Sequence, residues 1–448
     1  MRKIKILALA SLFSINLKAQ ETTLTVFDQV LFYDGYAGVV TEPVTEGIIR
    51  HRNDLFAKKL SSEDLLSIGT TLNMSVTIKA ACDNYDRIGS VNLVFAPKGD
   101  STYDVSTVQR IELGRFITPF MNKNIQPDEV PYDFTIDNIA NILKDEATNE
   151  LYDFWIELQV FGVPYAANTE VSGCAGRNDV FYGTLKFTTN TEMISSNDYL
   201  MPLNFQNNLN DYQAGASDAL GVTKRTITLN VPANLANAKL YLITSNHGAN
   251  SGGEEYNRRF HYIYFDGMMV LSYKPGETSC EPYRIYNTQG NGIYGANPKT
   301  DAQWQSFSNW CPGAKIPIRE IDLGYLNAGE HTFKIDVPTA VFANNEGNFP
   351  VSLYLQGTRD NVGIDVVENR KIEIFPNPSK GKFEIIDDNI SEKEIKITDF
   401  FGKEIAINKA IISNNKIEID SKTLANGIYF ISIASENNQI LKKIIISH

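Results

Sequence analysis

The chain has 448 residues, 43% of them hydrophobic and 11% aromatic, which is enough apolar side chain for two or three packed domains. Its net charge is -12 with Lys and Arg scattered, so no basic face is offered to nucleic acid. No run beyond the N-terminus approaches the roughly 20 apolar residues of a membrane span.

Residues 1–19 read as a secretory signal: Arg2, Lys3 and Lys5, an apolar run from Ile6 to Ile15, then Leu17-Lys18-Ala19. Mature protein then begins at Gln20, exported through the periplasm, and no cysteine follows the cleavage point to carry a lipid anchor. Export permits disulfides, and the four cysteines allow three pairings. The preferred one is Cys280 with Cys311, which bracket most of a long excursion, leaving Cys82 with Cys174.

Residues 20–190 alternate short apolar strands with Gly, Asn, Asp and Pro. Examples are 91–95, 108–117, 154–161 and 182–187, with one helical pattern at 135–144. Met74, Val76 and Ile78 alternate with polar neighbours, and Val91 opens another apolar run, so Ala81 to Ile88 is a turn between strands. That turn holds a cysteine, two carboxylates and an arginine: Cys82-Asp83-Asn84-Tyr85-Asp86-Arg87. Residues 191–358 repeat the pattern with strands near 226–231, 239–244, 259–265, 268–273, 331–337 and 351–356, interrupted by the excursion 274–305. A charged linker, 359–370, leads to a compact unit at 371–448. The class expected is all-β: two consecutive jelly-roll β-sandwich domains followed by a small C-terminal β-sandwich.

The last unit carries Pro376-Asn377-Pro378-Ser379, Gly427-Ile428-Tyr429-Phe430 and Lys442-Lys443-Ile444 in order. It resembles the C-terminal sorting domain of type IX secretion, which implies the type IX machinery as a partner and a secreted or cell-surface destination. In the two larger units, the Asp86 turn is joined by Gly114-Arg115-Phe116-Ile117-Thr118-Pro119, Phe154-Trp155-Ile156-Glu157-Leu158, Ser245-Asn246-His247-Gly248, Gly253-Glu254-Glu255-Tyr256 and Trp310-Cys311-Pro312-Gly313. Together these resemble the peptide-N-glycosidase F family, amidases that release N-linked glycans from asparagine.

The resemblance implies hydrolysis of the asparagine-linked GlcNAc amide of N-glycoproteins or glycopeptides, leaving aspartate, by a monomer without a cofactor. Carboxylates of differing pKa can activate water and protonate a leaving nitrogen without metal. Asp86, between an aromatic and an arginine, matches the principal catalytic aspartate; Glu255 and Glu157 match the second and third acids. Arg87, Glu254, His247, Trp304 and Phe307 are the expected substrate contacts, with Tyr256 or Tyr283 as further sugar-stacking surfaces. The chain departs from the family at Phe307, where an arginine is expected, at Ser245, where a tryptophan is expected, and near Gly253 and Asn257, where a short disulfide is missing.

Two other readings use the same scaffold. A non-catalytic glycan-binding surface protein is favoured if those departures close the pocket. A copper monooxygenase needs several histidine ligands, and the five present (His51, His247, His261, His331, His448) include no close pair, so no metal site is expected.

Overall fold

The computed structural model describes residues 21–192, 197–248, 253–306, 308–360, 372–386, 395–399, 402–413, 416–435 and 438–448. The expected signal segment, most of the expected linker and Phe307 lie outside them. Among the described residues the paired strands run antiparallel, with one isolated parallel bridge between Ser379 and Ile446.

The first sandwich packs a four-stranded sheet, ordered Glu21–Tyr33, Asp179–Asn190, Leu72–Ala80, Glu129–Thr135, against a six-stranded one. In Leu72–Ala80 the alternation holds: Met74, Val76 and Ile78 are fully buried and Ser75, Thr77 and Lys79 are not. Each such apolar side chain contributes about 1.5–3 kcal/mol on burial. The six-stranded sheet runs Lys315–Ile316, Gln109–Ile117, Ile88–Pro97, Tyr152–Val160, Leu55–Lys59, Ile48–Arg52. Its first member comes from the far half of the chain, so the two large units share a sheet. The helical pattern forms Asp137–Lys144, with Ile139, Ala140, Ile142 and Leu143 buried.

The second sandwich pairs the sheet Asp198–Leu209, Phe349–Arg359, Leu235–Thr244, Arg319–Leu326 with the sheet Lys224–Val231, Gly329–Asp336, His261–Phe265, Met268–Tyr273. One apolar core runs through both large units. The excursion 274–305 is not an open loop. It folds a 3-10 turn, Glu281–Tyr286, and a capped helix, Asp301–Gln305, around a small core of Cys280, Tyr294, Trp304, Cys311 and Ala314. Both expected disulfides are present, Cys82–Cys174 and Cys280–Cys311.

The C-terminal unit has its own core, built from Phe383, Ile385, Ile397, Ile419, Ile431, Ile444 and their neighbours. Its Pro376-Asn377-Pro378-Ser379 motif is a clasp for the final strand. Asn377 donates from Nδ2 to Lys443 O at 3.0 Å and accepts Ile445 N–H at 2.9 Å.

Candidate active site

Within the 81–88 turn the two aspartates differ in kind. Asp83 is wholly enclosed: its Oδ2 accepts Arg87 Nε at 2.7 Å and Val163 N–H at 2.6 Å, and its Oδ1 accepts Tyr85 N–H at 2.9 Å. Such an aspartate shapes a turn. Thr118, carried by the strand end after Gly114-Arg115-Phe116, fixes the backbone on both sides of Asp86. Its hydroxyl donates to Tyr85 O at 3.0 Å and accepts Arg87 N–H at 2.7 Å, while its own N–H donates to Arg87 O at 2.8 Å. Asp86 is therefore presented from a rigid corner, half-buried. Burial first, and then the negative charge of Glu255, push its pKa up to about 7 against the pull of Arg87.

Glu255 comes from the second unit, on the 3-10 turn Glu254–Tyr256. Asn309 clamps that turn: its side-chain amide donates to the carbonyls of Glu254 at 2.7 Å, Glu255 at 2.5 Å and Asn257 at 3.1 Å. Near Gly253 and Asn257, where the resemblance leads one to expect a short disulfide, an amide holds the turn instead. The Glu255 carboxylate accepts Gly248 N–H at 3.2 Å and the hydroxyl of Tyr256, and burial still holds its pKa above the usual range. Asn309 leads into Trp310-Cys311-Pro312-Gly313, which docks on the first unit. Gly313 N–H donates to Ile117 O at 3.0 Å, and Ile117 N–H to Ala314 O at 2.9 Å. Gly313 has φ +97° with the Tyr283 Cβ 3.4 Å from where a Cβ would sit, so glycine suits it. Trp310 packs on Ile117, Ile243 and Ile316 and donates from Nε1 to Asn246 O at 2.9 Å.

Behind this seam lies a buried ionic strut. Arg115 is fully enclosed, grips Glu112 through Nε at 2.7 Å and Nη2 at 2.6 Å, and reaches into the second unit to Ser245 Oγ and Pro350 O, each at 2.8 Å from Nη1. Ser245 in turn meets His247 Nε2 at 2.7 Å. Burial and then the Arg115 charge press the His247 pKa down to about 3, so its ring is neutral. Ser245, where the resemblance leads one to expect a tryptophan, is an acceptor for this strut.

Of the expected site residues, Asp86 and Glu255 come together, with Arg87 and Tyr256 beside them. Glu157 does not join them, contrary to expectation. It faces outward from the six-stranded sheet, fully buried under Tyr103, whose hydroxyl donates to it at 2.9 Å, with Asn92 Nδ2 at 2.9 Å and Arg110 Nη1 at 3.4 Å. It pairs with Asn92, six residues beyond Asp86 along the strand, a separation on the order of 20 Å. Two expected substrate contacts are corrected. Trp304 is wholly buried, donates from Nε1 to Glu281 at 3.0 Å and packs on Tyr294, so it is core of the excursion and presents no stacking face. Glu254 is also wholly buried, held by Arg259 at 2.8 and 3.0 Å and by Val341 N–H at 2.9 Å. His247 is half-buried and engaged with Ser245. Phe307 lies outside the described residues. Thr118 and Asn309 were missed, although each sits inside or beside a motif that pointed to the family. Among the described residues no three His, Cys, Asp or Glu side chains gather around a common point.

Residues 23–175 match the family model for the N-terminal domain of peptide-N-glycosidase F, and residues 217–356 match that for its C-terminal domain. The chain belongs to the peptide-N-glycosidase F family. It ends in a secretion system C-terminal sorting domain, matched over 373–447, which marks it for type IX export. Two crystal structures of PNGF-II share the fold at 20% and 19% identity, with TM-scores of 0.53 and 0.51. They cover 76% of this chain, which spans 66% and 65% of theirs. PNGase F from Flavobacterium meningosepticum, a glycosylasparaginase, is 15% identical over 76% of this chain and 96% of its own, with a TM-score of 0.48. No curated protein sequence matches the chain. No helix among the described residues is long and apolar enough to cross a membrane.

Proposed function

We propose that this family member is an exported amidase that hydrolyses the bond between an asparagine side chain and the first GlcNAc of an N-linked glycan. The observation that carries this reading is the pair Asp86 and Glu255, one from each sandwich, with Asp86 near pKa 7. Family membership supplies the substrate class.

In this reading the Asp86 carboxylate takes a proton from water as its oxygen attacks the asparagine side-chain carbonyl. The tetrahedral intermediate then loses the glycosylamine nitrogen, which receives that proton, and an aspartate remains on the polypeptide. A base of pKa near 7 both accepts and returns a proton readily. Glu255, kept by Gly248 N–H and the Tyr256 hydroxyl, opposes ionisation of Asp86 and orders the water between them. Arg87 uses Nε and Nη2 on Asp83 and Val163 and, among the described residues, leaves Nη1 for a substrate oxygen.

The test is to incubate the purified full-length protein with a denatured N-glycoprotein in isotope-labelled water and weigh both products. The expected result is a free glycan and a peptide in which asparagine has become aspartate carrying one solvent oxygen. Glycan release with the asparagine unchanged, or no release at all, would overturn the reading. The same domains on an exported chain also predict that removing 371–448 leaves activity intact and stops secretion.

A further inference from the structure

Tyr165 is 65% exposed, on the loop that follows the strand Tyr152–Val160. A single exposed tyrosine is ordinary on a protein surface. What sets this one apart is how firmly its loop is tied to the Asp86 turn. Val163 N–H donates to Asp83 at 2.6 Å, and Val163 O accepts Arg87 Nη2 at 3.3 Å. Asn168 Nδ2 donates to Pro164 O at 2.9 Å, closing the loop on itself. Glu170 accepts Asn84 Nδ2 at 2.7 Å and Gln289 Nε2 at 2.8 Å, joining the loop to the turn on one side and to the excursion on the other. The Cys82–Cys174 disulfide, packed with Ala167 and Val171, anchors its far end to the residue just before Asp83. The Tyr165 ring stands 6.2 Å from that of Tyr85, inclined at 31°, and Tyr85 itself rests edge-on against Phe120, with the Arg87 guanidinium 5.3 Å from its ring centre.

A ring carried on a loop so firmly tied, and leaning on Tyr85, is largely pre-organised for a ligand face, because the backbone that presents it is ordered before anything binds. Taking the proposed amidase activity as its basis, we infer that Tyr165 is a specificity-determining residue, a stacking platform for a pyranose ring of the glycan core beside the scissile amide. The apolar C–H face of a sugar suits an aromatic ring whose hydroxyl stays wet. Tyr165 supplies the platform that buried Trp304 does not.

The experiment compares full-length wild type with Tyr165→Ala and Tyr165→Trp on an N-glycopeptide, and measures binding of chitobiose, a disaccharide of the glycan core, to the Asp86→Asn protein with and without Tyr165→Ala. The expected result is a KM about tenfold higher for Tyr165→Ala with kcat within about twofold, restoration by Tyr165→Trp, and a matching tenfold weakening of chitobiose binding. Active wild type with KM unchanged in Tyr165→Ala overturns the inference while leaving the amidase reading intact. If wild type releases no glycan, the amidase reading falls, and the chitobiose titration still decides the platform: unaltered binding in the alanine variant refutes it. Loss of kcat in both variants at unchanged KM would make the loop a structural brace only and also refute it.

Discussion

Asp86, in the turn that leads into the strand Ile88–Pro97, and Glu157, on the strand paired with it, were both read as acids of one site, yet their surroundings are opposite. Glu157 has each oxygen occupied, by Tyr103, Asn92 and Arg110, and a positive charge within reach. Asp86 is crowded by a second carboxylate, while Arg87, whose charge pulls the other way, directs Nε and Nη2 to Asp83. A buried carboxylate that is fully answered holds structure together; one left under-answered keeps chemical work available. On the proposed reading, function shows as unmet electrostatic demand more than as burial, since Glu157 is the more deeply buried of the two.

The largest expected effect is on Asp86. Asp86→Asn lowers kcat/KM on a glycopeptide by about 100-fold to 10,000-fold. Because burial and Glu255 raise the folded-state pKa, the ionised carboxylate opposes folding, and this penalty is absent below about pH 4 and complete above about pH 7. The variant is therefore equally stable at pH 4 and more stable at pH 8, by up to about 4 kcal/mol. Paired denaturant titrations at the two pH values check this, and a variant less stable at pH 8 would erase the contrast between the two acids.

Glu157→Ala is expected to act the other way. It strands Arg110 and Tyr103 and destabilises by about 3–5 kcal/mol, while the protein that remains folded keeps its kcat. Measuring kcat at low temperature against active-site concentration separates the two effects. A folded Glu157→Gln variant with kcat down a hundredfold would return Glu157 to the chemistry.

The comparison also has a pH signature. With Asp86 as base, kcat/KM falls about tenfold per unit below pH 7 and levels off above it. A profile falling above pH 7 would make Asp86 the acid instead. The smallest effect is expected at Tyr256→Phe, which removes one hydrogen bond from Glu255 and lowers kcat about fivefold, the equivalent of about 1 kcal/mol. No change in steady-state kinetics would show that Glu255 needs only Gly248 N–H.

Much of the fold was legible because one buried face per strand leaves a period-two trace, as Met74, Val76 and Ile78 do. The same alternation, with Ile156 and Leu158 in the core, turns Glu157 to the outer face. What it could not carry is that residues near Tyr103 and Val105 lie over that face, since cover comes from distant chain. Trp304 misled for a similar reason: a stretch rich in Gly, Asn and Tyr built a private core around a disulfide. Asp86 and Glu255 were readable only through neighbouring motifs. Their meeting depends on Thr118 and Asn309, whose backbone partners leave no mark in composition or period.

The two-residue strand Lys315–Ile316 has a consequence for how such a protein can be divided. It completes the outer border of the first sandwich by pairing with Arg115 and Phe116. Cutting the chain between the sandwiches would strip that border, leaving an open row of backbone donors and acceptors ready to recruit another molecule, and an arginine enclosed on one side only. Neither half is a portable module. A shuffled gene or a trimmed expression product must keep both sandwiches or lose the seam, whereas the C-terminal unit is built on a core of its own.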